Sequence, residues 1–182
     1  MTNIFIFLGP PGSGKGTQAE KISEKFGIAH ISTGVMLRDH VDRKTDLGIK
    51  AKNILDEGSL VPDNLVIEML KDRLDLDDCK NGAILDGFPR TLPQTLSLES
   101  DEKFSIKSVI FFDVNQEELV KRMLERGRSD DTEESIKVRL KVYSNETEPL
   151  VDFYSKKNLL TKINALGSID DISSMISESI NL

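Results

Sequence analysis

Apolar residues gather in five short runs, Asn3–Leu8, Ala29–Ser32, Ala83–Asp86, Ser108–Asp113 and Thr161–Asn164, separated by stretches of helical periodicity. Runs of this length, bounded by turn residues, predict strands. Ile4 to Leu8 and Val109 to Phe112 are apolar at every position rather than at alternate ones, as strands covered on both faces are. Such strands, alternating with helices, give a parallel sheet between helical layers. The expected fold is therefore three-layer α/β with five parallel strands.

Several helix starts are also legible. Asn115, with Glu118 three residues on, predicts a capped entry to a helix whose Leu119, Val120, Met123 and Leu124 share one face. Thr132 before Glu133 and Glu134 predicts another, running through Ile136, Leu140 and Tyr143, that Pro149 should end or kink. Asp170 or Asp171 is expected to cap a last helix carrying Ile172, Met175, Ile176 and Ile180. A mixed helical stretch between Gly34 and Leu60 breaks the strand-helix alternation and predicts an inserted subdomain. No repeat, low-complexity tract or linker divides the chain, so residues 1–182 are expected to form one domain, with the acidic runs at Asp75–Asp78 and Glu99–Glu102 as solvated loops.

Composition narrows the picture. A chain of 182 residues, 38% hydrophobic and 30% charged, is long enough to bury roughly 70% of its unfolded surface. No apolar run approaches the about 20 residues that span a bilayer, and no basic segment with a cleavage site opens the chain, so neither a membrane nor a secretory role is expected. A net charge of −7 argues against nucleic acid as partner, since that binding draws on a basic surface. Any phosphate must then be held by local positive charge. The single cysteine, Cys79, excludes an intramolecular disulfide and a cysteine-rich zinc cluster, is read as a small partly buried residue, and suits a reducing cytoplasm. His30 and His40 lack metal-ligand spacing and are read as structural.

Candidate chemistry begins where the first strand ends, at Gly9-Pro10-Pro11-Gly12-Ser13-Gly14-Lys15-Gly16-Thr17. A strand, a glycine-rich loop and Gly-Lys at a helix start together make a phosphate cradle: glycines let successive N–H groups converge, the helix end adds its dipole, and Lys15 adds a cation. Gly16 takes the usual Ser/Thr position, and the hydroxyl follows at Thr17. Phosphoryl transfer also needs cations around the equatorial oxygens, for which the planar guanidinium is suited. The chain supplies Arg38 after Ser32-Thr33-Gly34, Arg90 after Asp86-Gly87-Phe88-Pro89, and Arg122, Arg126, Arg128 and Arg139 further on. Arg122 and Arg126, four apart, share a helix face. A lone arginine is ordinarily a solvated surface residue; six at glycine-rich or helix-end positions in an acidic protein point to a polyphosphate. Asp86, closing a buried strand beside the cradle, could orient waters of a Mg²⁺ ion; its plain alternative is a turn residue before Gly87. Asp130 and Asp131 either pair with the arginines or cap the helix at Thr132.

The motifs at 9–17, His-Ile-Ser-Thr-Gly at 30–34 with Arg38, Asp-Gly-Phe-Pro-Arg-Thr-Leu-Pro-Gln at 86–94, and Arg-Ser-Asp-Asp at 128–131 with Arg139 jointly resemble the adenylate kinases, in order and over essentially the whole chain. The resemblance implies a P-loop kinase fold with a helical AMP-binding insertion at about 33–61 and a short lid at about 127–132. It implies Mg²⁺-dependent reversible transfer from ATP to AMP giving two ADP, by a cytoplasmic monomer. Carried over by position, Gly12, Ser13, Gly14, Lys15, Gly16, Thr17, Arg122, Arg126 and Gly167 would bind ATP. Thr33, Arg38, Val61, Gly87, Arg90, Gln94, Arg128 and Arg139 would bind AMP, with Lys15, Arg90, Arg128 and Arg139 acting on the transferred group. Thr17 and Asp86 would meet the metal only through its water. The resemblance also implies a cis Phe88-Pro89 bond. Gln94, able to donate and accept, suits the adenine edge, with the Thr33 hydroxyl beside it.

Two departures stand out. Val35 occupies a position often acidic in that family, and Arg126-Gly127-Arg128 leaves no room for the long lid that often carries zinc, so no zinc is expected. Three other readings stay open: a UMP/CMP kinase of the same fold, a P-loop switch or motor ATPase acting on a protein partner, and a catalytically dead relative. The switch lacks an Asn-Lys-x-Asp motif and leaves Arg38, Arg90 and Gln94 without a task.

Overall fold

A computed structural model describes residues 1–128 and 130–180. Ser129, inside the expected loop at 127–132, lies outside the described residues, as do Asn181 and Leu182. The strands β1 (Thr2–Leu8), β2 (Ala29–Ser32), β3 (Ala83–Asp86), β4 (Phe104–Asp113) and β5 (Leu160–Asn164) form one parallel sheet in the order β2-β3-β1-β4-β5. The chain therefore leaves β1 toward one edge and later crosses to the other, which opens a crevice at the carboxyl ends of the strands. The β1–β3 register pairs Phe7 with Asp86, so that carboxylate stands where the glycine loop leaves β1. β4 begins at Phe104, four residues before the apolar pattern predicts. Ile4 pairs with Ile106 and Phe5 with Ser108, leaving the exposed Lys107 as a bulge that interrupts the apolar run.

Nine α-helices lie among the described residues: α1 (Lys15–Phe26), α2 (Thr33–Asp42), α3 (Asp46–Asp56), α4 (Asp63–Leu74), α5 (Leu92–Glu99), α6 (Gln116–Arg126), α7 (Glu133–Val142), α8 (Pro149–Lys156) and α9 (Ile169–Ser179), with a short 3-10 turn at Asp77–Cys79 where a loop is expected. Alternate β1 residues feed opposite cores. Ile4, Ile6 and Leu8 pack with Leu37, Leu70 and Tyr154 of α2, α4 and α8, whereas Phe5 and Phe7 pack with Ala19, Ile22, Ile172 and Ile176 of α1 and α9. A third, small cluster of Leu119, Met123 and Ile136 joins α6 to α7. None of the described helices is long and apolar enough to cross a membrane.

The helix starts follow the side-chain chemistry. Asn115 Oδ1 accepts from the Glu118 N–H at 2.9 Å and Thr132 Oγ1 from the Ser135 N–H at 3.2 Å. At α9 the cap is Ser168 rather than Asp170 or Asp171: its Oγ accepts from the Asp171 N–H at 3.2 Å, and both aspartates lie in the first turn, facing the positive dipole end. Pro149 opens α8 instead of ending α7. The backbone passes between them through a π turn, Tyr143–Thr147, and Pro149 stands at a first helical position where its missing N–H is not needed. Cys79 is fully buried, not partly, with the Arg73 guanidinium 3.1 Å from its sulfur. The Phe88-Pro89 bond is cis. In the inserted stretch, α2 and α3 approach so closely at Gly48 that a Cβ there would lie 1.9 Å from the His40 carbonyl oxygen.

Candidate active site

The glycine loop wraps the start of α1. Gly12 and Gly14 hold φ values of 83° and 92°, a region side-chain-bearing residues rarely enter. Lys15 folds back over the loop, its Nζ donating to the Gly9 and Pro10 carbonyls at 2.8 Å each and to Ser13 Oγ at 3.2 Å. Burial pushes the Lys15 ammonium down from 10.5 to about 8, and Arg90 and Arg126 add to the drop against the pull of Asp86. A desolvated cation beside a glycine loop at a helix start is a site prepared for an anion.

Asp86 faces this loop from the end of β3. Burial works against its charge, but the His30 ring, Lys15 and Arg90 outweigh it and hold the carboxyl below the usual range. His30 Nε2 stands 3.7 Å from Asp86 Oδ2. His30, expected to be structural, also lines the cavity, where the register that sets β2 beside β3 brings it. His40 does have a local partner, Thr45 Oγ1 at 2.8 Å from its Nδ1.

The arginines form a chain with two aspartates. Arg38 Nη1 lies 3.8 Å from Asp130 Oδ2, which also meets Arg139; Arg139 Nη1 reaches Asp131 Oδ1 at 2.8 Å; and Arg126 grips Asp131 with Nε and Nη2 at 2.9 and 2.8 Å. Asp130 and Asp131 thus pair with the arginines, while Thr132 does the capping. Burial opposes the Asp131 charge, yet Arg126 and Arg139 hold its carboxyl below the usual range. Burial lowers the guanidinium groups of Arg38, Arg90 and Arg128, and the neighbouring arginines lower each further. Cations that destabilise one another in a shared cavity are ready for a multiply charged anion.

Next to Asp86, Gly87 ties part of the wall together. Its carbonyl accepts from Thr33 Oγ1 and Arg90 Nε, both at 2.8 Å, and a Cβ on Gly87 would lie 2.9 Å from Arg90 Nη2. Gln94 Oε1 accepts from the Arg90 N–H at 2.7 Å and its Nε2 donates to Asp63 Oδ1 at 2.7 Å. Two glycines bring bare backbone against the α6–α7 pair. A Cβ on Gly12 would meet the Leu119 carbonyl oxygen at 2.8 Å, and one on Gly58 the Ser135 carbonyl oxygen at 2.8 Å.

One cavity of about 800 Å³ gathers nearly every residue the sequence singled out. Its walls include Gly12 to Thr17, Thr33, Arg38, Val61, Asp86, Gly87, Arg90 and Gln94. Arg122, Arg126, Arg128 and Arg139 also line it. Gly167 stands apart in the loop after β5, near Asp171 and Ile172, though Arg122 reaches that loop through the Ala165 carbonyl at 3.1 Å. Val35, 56% exposed, faces the same cavity. Asp63 went unnoticed because an acid at a helix start needs no further explanation in sequence.

Comparison with known proteins accords with this geometry. The family described as Adenylate kinase matches residues 7–159. A protein of Leptospira biflexa named Adenylate kinase is 52% identical over 182 residues, covering 96% of this chain and 98% of its own. One of the same name from Mycobacterium sp. is 48% identical over 170 residues, with 92% and 93% covered. One from Clostridium novyi is 42% identical, and its alignment runs over 209 residues with 96% of this chain and 97% of its own covered, so it holds residues within the matched span that this chain lacks.

Proposed function

Because the chain belongs to the adenylate kinase family, we infer that it catalyses reversible transfer of the terminal phosphoryl group of ATP to AMP, giving two ADP. The observation that carries this reading is a single cavity lined by the glycine loop with Lys15, by Arg90 and Gln94, and by Arg38, Arg122, Arg126, Arg128 and Arg139. No covalent intermediate is needed, since an AMP phosphate oxygen attacks directly; the protein's work is positioning and charge stabilisation. The loop N–H groups and Lys15 hold the donor phosphates, and Arg122 and Arg126 the rest of ATP, with Gly167 in the loop near the base. Arg38 and Arg90 clamp the AMP phosphate, Thr33, Val61, Gly87 and Gln94 enclose its nucleoside, and Arg128 and Arg139 close on the group in transit. Residues 33–61 act as the acceptor-binding insertion and 127–132 as a short lid that excludes water before transfer.

Asp86 and Thr17 offer hard oxygen atoms beside the loop, a donor set that suits Mg²⁺ keeping most of its water. Among the described residues no group of three or more His, Cys, Asp or Glu is placed to hold a metal. Asp86 and Thr17 would hold the waters of such an ion, whose charge would offset that of the phosphates. We expect a cytoplasmic monomer without stoichiometric zinc, which sedimentation and elemental analysis check.

A coupled assay across monophosphates tests the reading. A pyrimidine would leave part of the buried Gln94 amide unpaired, at about 1–3 kcal/mol, so AMP should exceed UMP and CMP by at least about tenfold in kcat/KM. Comparable rates with UMP would transfer the chain to the pyrimidine reading. Failure to bind AMP at all would leave the switch ATPase, and binding without turnover the dead relative.

A further inference from the structure

Gln94 is 2% exposed, and both ends of its amide are engaged. Its Oε1 faces the Arg90 N–H, and its Nε2 faces Asp63 Oδ1. Asp63 is itself held, because its Oδ2 accepts from Thr91 Oγ1 at 3.0 Å. A backbone N–H can only donate and a carboxylate can only accept, so this pair of partners dictates which end of the amide is oxygen and which is nitrogen. A flip would set carbonyl oxygen against carboxylate oxygen and NH₂ against N–H. Two good contacts would become two repulsive ones.

The remaining capacity of Gln94 is then one N–H and one oxygen lone pair, in fixed order, on a side chain that lines the cavity. Adenine presents a ring-nitrogen acceptor beside an amino donor. A 6-oxo purine presents the reverse, a ring N–H beside a carbonyl oxygen. A freely turning glutamine would answer either edge by flipping; a pinned one answers one of them. We propose that Asp63 is a positioning residue that fixes the Gln94 amide and so makes the acceptor site take a 6-amino purine monophosphate and reject its 6-oxo counterpart. This rests on Gln94 facing the acceptor base, as set out above. Asp63 touches no reacting atom.

The test measures kcat/KM for AMP and for IMP, at saturating Mg²⁺ and ATP, in the wild-type protein, Asp63→Asn and Asp63→Ala, with the KM for ATP and the thermal midpoint alongside. Asparagine keeps the size of the side chain but can itself flip, which releases one of the two pins. The AMP-to-IMP ratio should fall about tenfold or more in Asp63→Asn, equivalent to about 1.4 kcal/mol, with IMP gaining outright while the KM for ATP holds within about twofold. Asp63→Ala should lose the ratio similarly. A merely structural role would slow both nucleotides together and leave the ratio unchanged, and that result overturns the proposal. Should neither variant fold, the wild-type protein still decides: IMP used within about tenfold of AMP refutes the pin. A wild-type enzyme that turns over no AMP instead rejects the acceptor reading itself.

Discussion

Gly48→Ala sets two physical effects against each other. By helix propensity alone, alanine in place of glycine should stabilise α3 by up to about 1 kcal/mol. The packing says otherwise: the new Cβ would lie 1.9 Å from the His40 carbonyl oxygen, 2.2 Å from its carbon and 2.6 Å from the Val41 nitrogen. All three are backbone atoms, so no side chain can swing away, and α3 must retreat from α2 by roughly 1–2 Å to restore ordinary contact. That retreat pulls on the Thr45 cap, whose Oγ1 accepts from the Gly48 N–H at 3.1 Å and meets His40 Nδ1 at 2.8 Å, and loosens the buried Ala51. Overpacking of this kind costs about 1–3 kcal/mol or more, which outweighs the propensity gain. Thermal unfolding should therefore drop by about 2–8 °C. Because α2 carries Thr33 and Arg38, the KM for AMP should rise more than the KM for ATP. An unchanged or raised midpoint with an unaltered KM for AMP would refute the reasoning.

Lys15→Met should leave the fold near intact and remove most phosphoryl transfer, since the loop keeps its N–H groups but loses its cation; a variant that retains activity counts against the role. Arg90→Lys should be severe as well, because a point charge cannot replace the fork and loses the Nε contact to Gly87; wild-type kinetics would show that Arg90 is no clamp. Lys15, lowered from 10.5 to about 8, makes the folded state hold fewer protons than the unfolded chain between about pH 8 and 10.5. Its contribution to stability therefore rises with pH across that window and is unfavourable below it. Nucleotide phosphates favour the ammonium, so ATP binding near pH 9 should take up a proton. Calorimetry in two buffers of different ionisation heat measures the uptake, and a value that persists in Lys15→Met would contradict the assignment.

Local chemistry made much of this protein legible in its sequence. The strand-loop-helix at Gly9 to Thr17 is contiguous, and the caps at Asn115 and Thr132 act within three residues. The β4 start hid behind Lys107, whose bulge breaks the apolar run, and Ser168 hid behind the more obvious Asp170 and Asp171. What the sequence withheld depends on distant partners. His30 meets Asp86 only through strand register, Asp63 meets Gln94 across 31 positions, and Gly48 is needed only because another helix lies on it. No periodicity or spacing encodes those contacts.

The bare-backbone contacts at Gly12 and Gly58 bear on how the cavity can open. Helices whose side-chain ridges sit in each other's grooves are keyed, and moving one means lifting ridge out of groove. A glycine offers no ridge of its own, so Met123 and Arg139, whose Cγ atoms approach Gly12 and Gly58, rest on bare backbone without a matching groove. The α6–α7 pair meets such bare backbone at Gly12 and at Gly58, while Leu119, Met123 and Ile136 lock the pair to itself. Four arginines that line the cavity, Arg122, Arg126, Arg128 and Arg139, lie on this pair or in the loop joining it. A rigid displacement of the pair would therefore carry all four together, by a small shear against Gly12 and Gly58.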